Sequence, residues 1–231
     1  RGMKRTTLLT AGILTFAILL TGCSGASGPS PQERMEQAQA TIENAEAITM
    51  SLTGTDLPSN VDGIQAATGT GVIEGDLIKF EGEFQGKVSG IAATVAILAI
   101  GDDTYMKLFT PSYEPVDLGT LGVPNPIVFF APDTGIASLI AATTNLAAAD
   151  DVREGEEILA QITGTLDGEH IQSLLRIGEP GQTFNVTFGL TDQNELRRAE
   201  LQGEFWEGTT STYTLLLTDY GQVVPIEAPT S

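Results

Sequence analysis

Short segments that alternate apolar and polar residues follow one another along most of this 231-residue chain, and this succession is what most constrains the fold. Residues 48–53 and 78–85 alternate in this way, and turn residues such as Gly75-Asp76 separate neighbouring segments. Alternation with a period of two is typical of strands that bury one face. Strands that follow directly through short turns pair as neighbours. The sequence therefore predicts a mainly antiparallel sheet.

About ten strands are predicted on this basis. Their positions are residues 48–53, 70–74, 78–85, 91–100, 104–109, 158–166, 184–190, 195–205, 210–220 and a short last piece within 223–231. The strand at residues 91–100 differs from the others because both of its alternating sets are largely apolar. Such a run is typical of a strand that is covered on both sides, so we expect both faces of this strand to be buried.

Three helices are predicted beside the strands. The first begins at Ser30-Pro31-Gln32-Glu33, which can form a capping box, and should run to about residue 46. The second opens at Asp133-Thr134-Gly135, and the third is short and is capped by Asp167. Their apolar residues share one side of each helix: Met35, Ala38, Ile42 and Ala45; Ile136, Leu139 and Ile140; Ile171, Leu174 and Leu175. Helices this few cover only one sheet face, so the expected fold is α+β, with the sheet curved around the helices and its other face solvated and acidic.

Residues 110–132 form a proline-rich stretch that we predict to be irregular. Loops of this length within a domain are often functional. The stretch contains a cluster of large apolar side chains: Val123, Ile127, Val128, Phe129 and Phe130. This cluster must be buried or must contact an apolar ligand.

The N-terminus has the layout of a secretory signal peptide. Lys4 and Arg5 precede an uncharged apolar run of about 13 residues, which is shorter than the roughly 20 that a membrane-spanning helix needs. The run ends at Leu20-Thr21-Gly22-Cys23, which fits a bacterial lipobox, so the Cys23 thiol would receive a diacylglycerol and Cys23 would become the first residue after cleavage. The alternative is a free cysteine that follows an ordinary signal peptide. We expect a signal peptide at residues 1–22, a lipidated tether at 23–30 and a single domain at 31–231.

The charge of the chain excludes some classes of partner. The formal net charge is −19, and loss of the signal peptide would remove the positive residues Arg1, Lys4 and Arg5. A surface this acidic repels nucleic acid and anionic membrane surfaces. We therefore expect no nucleic-acid partner, and attachment to the extracytoplasmic side of the cell membrane only through the palmitate-type acyl anchor on Cys23.

The sequence offers little for catalysis or for a cofactor. The only histidine is His170, which lies beside Glu169, and no Gly-x-Ser-x-Gly nucleophile motif is present. Asp102-Asp103 and Asp150-Asp151 lack the spaced ligands of a calcium loop, and Thr68-Gly-Thr-Gly lacks the lysine of a phosphate loop. We expect no enzyme activity, no metal site and no cofactor.

Several segments in the same order resemble the LppX/LprAFG family of actinobacterial lipoproteins. They are the lipobox, the N-terminal amphipathic helix, Gly101-Asp102-Asp103-Thr104-Tyr105-Met106-Lys107-Leu108, Ala131-Pro132-Asp133-Thr134-Gly135-Ile136-Ala137 and residues 213–221. The resemblance implies a half-barrel with helices on its concave side, a shape shared by the more distant LolA/LolB carriers. It also implies an apolar cavity, at or beyond the top of the usual range of about 300–1,000 Å³, that binds envelope lipids.

This resemblance and the apolar pattern together give a set of predicted cavity-lining residues: Ile91, Val95, Ile97, Phe129, Phe130, Ile136, Leu139, Ile140 and Leu174. Small residues around them would leave volume unfilled. The expected ligand is a di- or triacylated envelope lipid or glycolipid, bound by a monomer that works with an envelope transporter. The alternative, which the residues alone leave open, is an ordinary filled core in a non-enzymatic envelope scaffold or binding lipoprotein.

Overall fold

A computed structural model describes residues 28–229 apart from 89, 110 and 180, together with Gly2. Apart from Gly2, the predicted signal peptide lies outside the described residues, as do Cys23 and most of the tether. Residues 28–229 contain the whole of the folded body described below.

The described part of the chain contains twelve strands, which form one open sheet with antiparallel pairing throughout. The strands are β1 (Ala47–Thr55), β2 (Gly63–Glu74), β3 (Leu77–Val88), β4 (Ile91–Ile100), β5 (Asp103–Lys107), β6 (Glu114–Pro115), β7 (Thr144–Ala148), β8 (Val152–Glu154), β9 (Glu157–Asp167), β10 (Thr183–Leu190), β11 (Leu196–Trp206) and β12 (Thr209–Thr218). Their order is β6-β5-β4-β3-β2-β1-β12-β11-β10-β9-β7, and β8 pairs with β9. The predicted succession of hairpins is confirmed.

The sheet consists of two hairpin series joined at one seam. Strands β1 to β6 follow one another in space, and so do β9 to β12. The seam is the pairing of β1 with β12, in which Thr49 lies opposite Thr218 and Leu52 lies opposite Leu215. The first and last long strands of the domain therefore lie side by side at its centre.

Three α-helices lie within the described residues: α1 (Pro31–Glu43), α2 (Ile136–Ala142) and α3 (Gly168–Leu175). The capping box of α1 is formed, because the Glu33 amide donates to Ser30 Oγ at 3.2 Å and the Ser30 amide donates to Glu33 Oε2 at 2.7 Å. The helix ends before residue 46, since the Asn44 side chain donates to the Ala40 carbonyl at 2.6 Å and closes the last turn. Asp167 precedes α3, but its side chain makes no capping hydrogen bond.

All three helices pack on one face of the sheet, which we call the inner face. Met35 of α1, Ile136 of α2 and Ile171 of α3 share one apolar cluster with strand residues that include Phe80 and Leu215. The opposite, outer face carries exposed polar residues, mainly threonine on β1 and acidic residues on β3. The α+β class and the curved sheet with helices on its concave side are confirmed.

Some predicted elements are wrong in extent. Strand β2 begins at Gly63 and not near residue 70. The prediction missed its first half because the residues there, mostly small, do not alternate between apolar and polar. The predicted strand within 223–231 is absent from the described residues, which end at 229. Three short strands were not predicted, namely β6, β7 and β8, whose residues are mostly exposed and carry no apolar pattern.

The expectation that both faces of β4 are buried is right only for its second half. Ile91 is 70% exposed, because β5 pairs with β4 only from Ala96 onward. In the second half, Ile97 belongs to the inner-face cluster. Leu98 belongs to a separate cluster with Ile226 of the C-terminal tail. The tail therefore covers this part of the outer face without forming a strand.

Candidate functional site

Eight of the nine predicted lining residues lie in or against one apolar cluster on the inner face. The buried members are Ile97, Phe129, Phe130, Ile136, Ile140 and Leu174, and the partly buried ones are Val95 and Leu139. Ile91 is the exception, because it lies at the exposed start of β4. Strand parity on β4 is as predicted, since Val95, Ile97 and Ala99 contribute to the same cluster.

Beneath the apolar cluster of the inner face, three strand residues are glycines. Gly69 and Gly71 of β2 and Gly82 of β3 form what we call the glycine patch, in which Gly69 lies opposite Gly82. A Cβ atom on Gly71 would lie 2.6 Å from the ring of Phe130, and one on Gly82 would lie 2.6 Å from the ring of Phe80. A Cβ on Gly69 would also collide with the Phe80 ring. Two aromatic rings thus occupy the space that side chains would otherwise fill.

Phe130 reaches the glycine patch from the segment between β6 and α2, residues 116–135, which we call the β6–α2 segment. This segment contains two 3₁₀ helices, Leu118–Leu121 and Pro126–Phe130. The ring centroid of Phe130 lies 6.1 Å from that of Phe80. The apolar cluster predicted in this stretch is therefore buried against the inner face, with Phe129 and Phe130 as its most enclosed members.

Asn125 fixes the second 3₁₀ helix to the sheet. Its Oδ1 accepts a hydrogen bond from the Ile127 amide at 3.2 Å, and its Nδ2 donates to the Gly101 carbonyl at 2.9 Å. At the other end of the segment, the Thr104 hydroxyl donates to the Val116 carbonyl. Side-chain hydrogen bonds at two points thus connect the segment to the β4–β5 hairpin.

A second aromatic group closes the inner face near the ends of β10 and β11. Phe205 lies 4.7 Å from Phe184 and 4.8 Å from Tyr213, measured between ring centroids. The Tyr213 hydroxyl donates to the Ile64 carbonyl, and burial raises the pKa of Tyr213 above its ordinary value. The Tyr213 hydroxyl is therefore neutral and satisfied by its hydrogen bond, and the three rings present an apolar surface.

The large cavity expected between sheet and helices is not confirmed. One pocket among the described residues has a volume of about 330 Å³ and lies beside Asp102, Asp103 and Asp117, outside the inner-face cluster. A second, of about 10 Å³, lies beside Trp206. The glycine patch itself is filled by Phe80 and Phe130.

The polar residues singled out in the sequence lie apart from this cluster. His170 is exposed on α3, and Asp150 and Asp151 are exposed in the loop between β7 and β8. Across the described residues, no group of three or more histidine, cysteine, aspartate or glutamate side chains is placed to hold a metal ion. Arg197 and Arg198 at the start of β11 form ion pairs with Glu157 and Glu154 respectively. The chemistry that the inner face offers is apolar.

The model of the LppX_LprAFG lipoprotein family matches residues 30–226, which is nearly all of the described body. The chain belongs to the LppX/LprAFG family. No curated protein gave a match to the sequence.

Two solved structures of LppX/LprAFG lipoproteins share this fold. LprF from Mycobacterium bovis aligns with a TM-score of 0.76 at 14% identity, covering 88% of this chain and all of LprF. LppX from Mycobacterium tuberculosis aligns with a TM-score of 0.62 at 15% identity, covering 85% of this chain and 98% of LppX. At such low identity the comparison establishes the fold and not the ligand.

No helix in the described part of the chain is both long and apolar enough to span a membrane.

The glycine patch is the part of this LppX/LprAFG chain that sequence reasoning missed. As a sequence motif, the Thr68-Gly-Thr-Gly run resembles a phosphate loop only superficially, and its value as a strand segment is not evident from that comparison. Its two glycines are spaced by two residues and are followed at the same spacing by Ile73, so they share a face of a strand. Small residues at strand spacing beside large aromatic ones, as in Phe80 and Phe84, would have indicated a depression in the inner face.

Proposed function

We propose that this protein is a lipid-anchored envelope lipoprotein that binds the acyl chains of an envelope lipid or glycolipid between the inner face and the helices. The observation that carries the proposal is the continuous apolar cluster on the inner face of an LppX/LprAFG fold. Helices α1 to α3 and the β6–α2 segment all contribute to this cluster. A ligand that entered between helices and sheet would meet apolar side chains on every side.

The energetics of acyl transfer suit a carrier. Burial gains about 0.8 kcal/mol per methylene, so two chains with roughly 30 methylenes gain on the order of 24 kcal/mol on leaving water. A chain that comes from a bilayer is already in an apolar medium, and most of this gain offsets its extraction. Exchange between bilayer and protein is then close to balanced, as carrying or presenting a lipid across the envelope requires.

The proposed anchor keeps the body near its lipid source. Helix α1 begins at Pro31, so the proposed tether from Cys23 to Ser30 spans at most about 24 Å when extended. The acidic body would not adhere to an anionic membrane by charge, and the acyl groups on Cys23 would hold it on the extracytoplasmic side. We propose a monomer that receives its ligand from, or delivers it to, an envelope transporter.

A filled-core scaffold is the second candidate, and a specific observation favours it. The aromatic rings of Phe80 and Phe130 fill the glycine patch in this structure. In this alternative the inner face is an ordinary core, and the protein acts by contacting another envelope protein without carrying a lipid.

Lipid analysis of the purified protein separates these two candidates. All helices and strands of the described residues lie within 31–218, so a chain that starts at Ser24 keeps each of these elements and lacks the proposed anchor. This chain would be expressed in a bacterial host, purified without detergent and examined by native mass spectrometry, before and after incubation with phospholipid vesicles. A complex with one acylated lipid supports the proposal. A lipid-free mass in both samples supports the scaffold.

A further inference from the structure

The Phe130 ring occupies a site that the strand backbone leaves open for it. Neither Gly69, Gly71 nor Gly82 has a positive φ, so the backbone conformation does not require glycine at these positions. Their small size matters because aromatic rings lie against all three, and backbone oxygens of the neighbouring strand also lie against Gly69 and Gly82. We call the space above Gly71 that holds the Phe130 ring, beside Phe80, the Phe130 slot. An apolar group of similar thickness fits wherever this ring fits.

The segment that places Phe130 in the slot makes most of its backbone hydrogen bonds within itself. Examples run from the Val128 amide to the Asn125 carbonyl and from the Gly135 amide to the Ala131 carbonyl, whereas the Val116 amide bonds to Thr104 of β5. Both of its helices are 3₁₀ helices, whose hydrogen-bond geometry is poorer than that of α-helices. At Val116 and Asn125 the segment is hydrogen-bonded to the β4–β5 hairpin, and its other contacts with the sheet are made by apolar side chains such as Phe130. The β6–α2 segment can therefore leave the sheet without disrupting any strand pairing.

We propose that the Phe130 slot is a subsite for an aliphatic acyl chain, and that Phe130 competes with this chain for it. This inference rests on the proposed function and specifies how loading occurs. The β6–α2 segment swings away, the ring leaves Gly71, and an acyl chain lies on Gly71 beside Phe80 in its place. Apolar contact with the sheet is lost by the ring and gained by the chain, so the exchange is nearly balanced and reversible.

The test compares three variants of the chain that starts at Ser24. Phe130→Ala empties the slot and removes the competitor. Phe130→Ala combined with Gly71→Leu fills the slot again with a side chain from the strand. Leu98→Ala is the control, because it truncates a buried apolar side chain of the separate outer-face cluster and leaves the inner face unchanged. Circular dichroism and thermal unfolding establish that each variant folds.

Two readouts are used. The first is the rate at which each variant takes up pyrene-labelled phosphatidylcholine from phosphatidylcholine vesicles. The second is the fluorescence gain of N-phenyl-1-naphthylamine, a small neutral probe that brightens in apolar sites. We expect Phe130→Ala to take up the lipid several-fold faster than the unmodified chain and to brighten the probe more. The double variant should lose both gains, and Leu98→Ala should not gain lipid uptake.

The outcomes separate this inference from the proposed function. If the unmodified chain takes up lipid but Phe130→Ala is no faster, or if the double variant matches Phe130→Ala, the competition is overturned while lipid binding stands. If no variant takes up lipid, the proposed function fails, and the probe alone then decides on the slot. A probe signal that rises in Phe130→Ala and falls in the double variant supports an apolar subsite, and a signal unchanged among the variants overturns it.

Discussion

Glycine at position 71 allows the Phe130 ring of the β6–α2 segment to lie directly on the strand backbone. A Cβ atom there would lie 2.6 Å from the ring. Cores are packed closely enough that one added methyl group is felt. The stability of the closed segment therefore depends on the absence of one side chain.

Gly71→Ala should destabilise the fold by about 1–3 kcal/mol, the usual cost of overpacking. The free energy of unfolding from urea titration measures this effect. Gly181→Ala is the matched control, because a Cβ there meets open space and its φ is ordinary; it should change stability by less than about 0.5 kcal/mol. Adding Phe130→Ala to Gly71→Ala should remove the extra cost of the alanine, and a strictly additive loss would contradict the contact.

Ionisation of buried tyrosines should limit stability at high pH. Burial raises the pKa of Tyr213 and Tyr220, and burial together with the Glu81 carboxylate raises the pKa of Tyr113 to about 12. The neutral phenol is thus favoured in the folded state, and the stability that it contributes is complete below the pKa of an unfolded tyrosine, about 10. Unfolded tyrosines lose protons above that pH, so stability falls as pH rises from about 10 towards 12.

The measurement is the urea midpoint at a series of pH values, with absorbance following phenolate formation. Tyr213→Phe should reduce the loss of stability above about pH 10, although it also removes the hydrogen bond to the Ile64 carbonyl and costs about 1 kcal/mol at neutral pH. An identical pH profile for Tyr213→Phe and the unmodified chain would show that this phenol does not titrate differently on unfolding.

Individual elements differ in how far their sequence determines them. The capping box and the apolar spacing of Met35, Ala38 and Ile42 predicted the start and the buried side of α1 correctly, because both signals are local. Strands β7 and β8 were not predicted because their residues are small or exposed. The two strands are defined only by their pairing with β9. The second 3₁₀ helix of the β6–α2 segment places Phe130 on Gly71, a contact between distant residues that no local pattern expresses.

At the scale of the β6–α2 segment, Asn125→Ala should loosen the attachment to the sheet. The amide bonded to Asn125 Oδ1 and the carbonyl bonded to its Nδ2 lose their partners, at a cost of about 0.5–1.5 kcal/mol for each bond. Hydrogen exchange followed by mass spectrometry should show faster exchange in residues 118–131. Asn185→Ala, an exposed position on β10, is the control and should leave this exchange unchanged. Equal exchange in both variants would mean that Asn125 does not hold the segment.

The two faces of β4 give a further test of where the ligand lies. Val95 is packed against the inner-face cluster, whereas its neighbour Thr94 is exposed. Val95→Trp should reduce the amount of lipid bound after incubation with vesicles, because the indole would occupy space beside the acyl chain. Thr94→Trp carries the same bulk on the other side and should bind as much as the unmodified chain. Equal binding by both variants would remove Val95 from the site.

Over the whole molecule, the sequence could predict the kind of sheet but not how it joins. Direct hairpins follow from the alternating segments, whereas the pairing of β1 with β12 links residues at opposite ends of the domain. The burial of Ile226 on the outer face likewise depends on residues that are distant in sequence, such as Leu98, so no local pattern predicts it. The inner face was predicted well, because the apolar residues of β4 and α2 meet there, while the packing of its interior around Phe130 was not.

The central claim is that acyl chains bind on the inner face, and photo-crosslinking tests it most directly. The chain from Ser24 would be loaded with a phosphatidylcholine that carries a diazirine in its acyl chain, irradiated and digested for mass spectrometry. The account predicts crosslinks to inner-face residues such as Ile97, Ile136 and Leu174. Crosslinks confined to the outer face, or none in a sample that had retained the lipid, would contradict it.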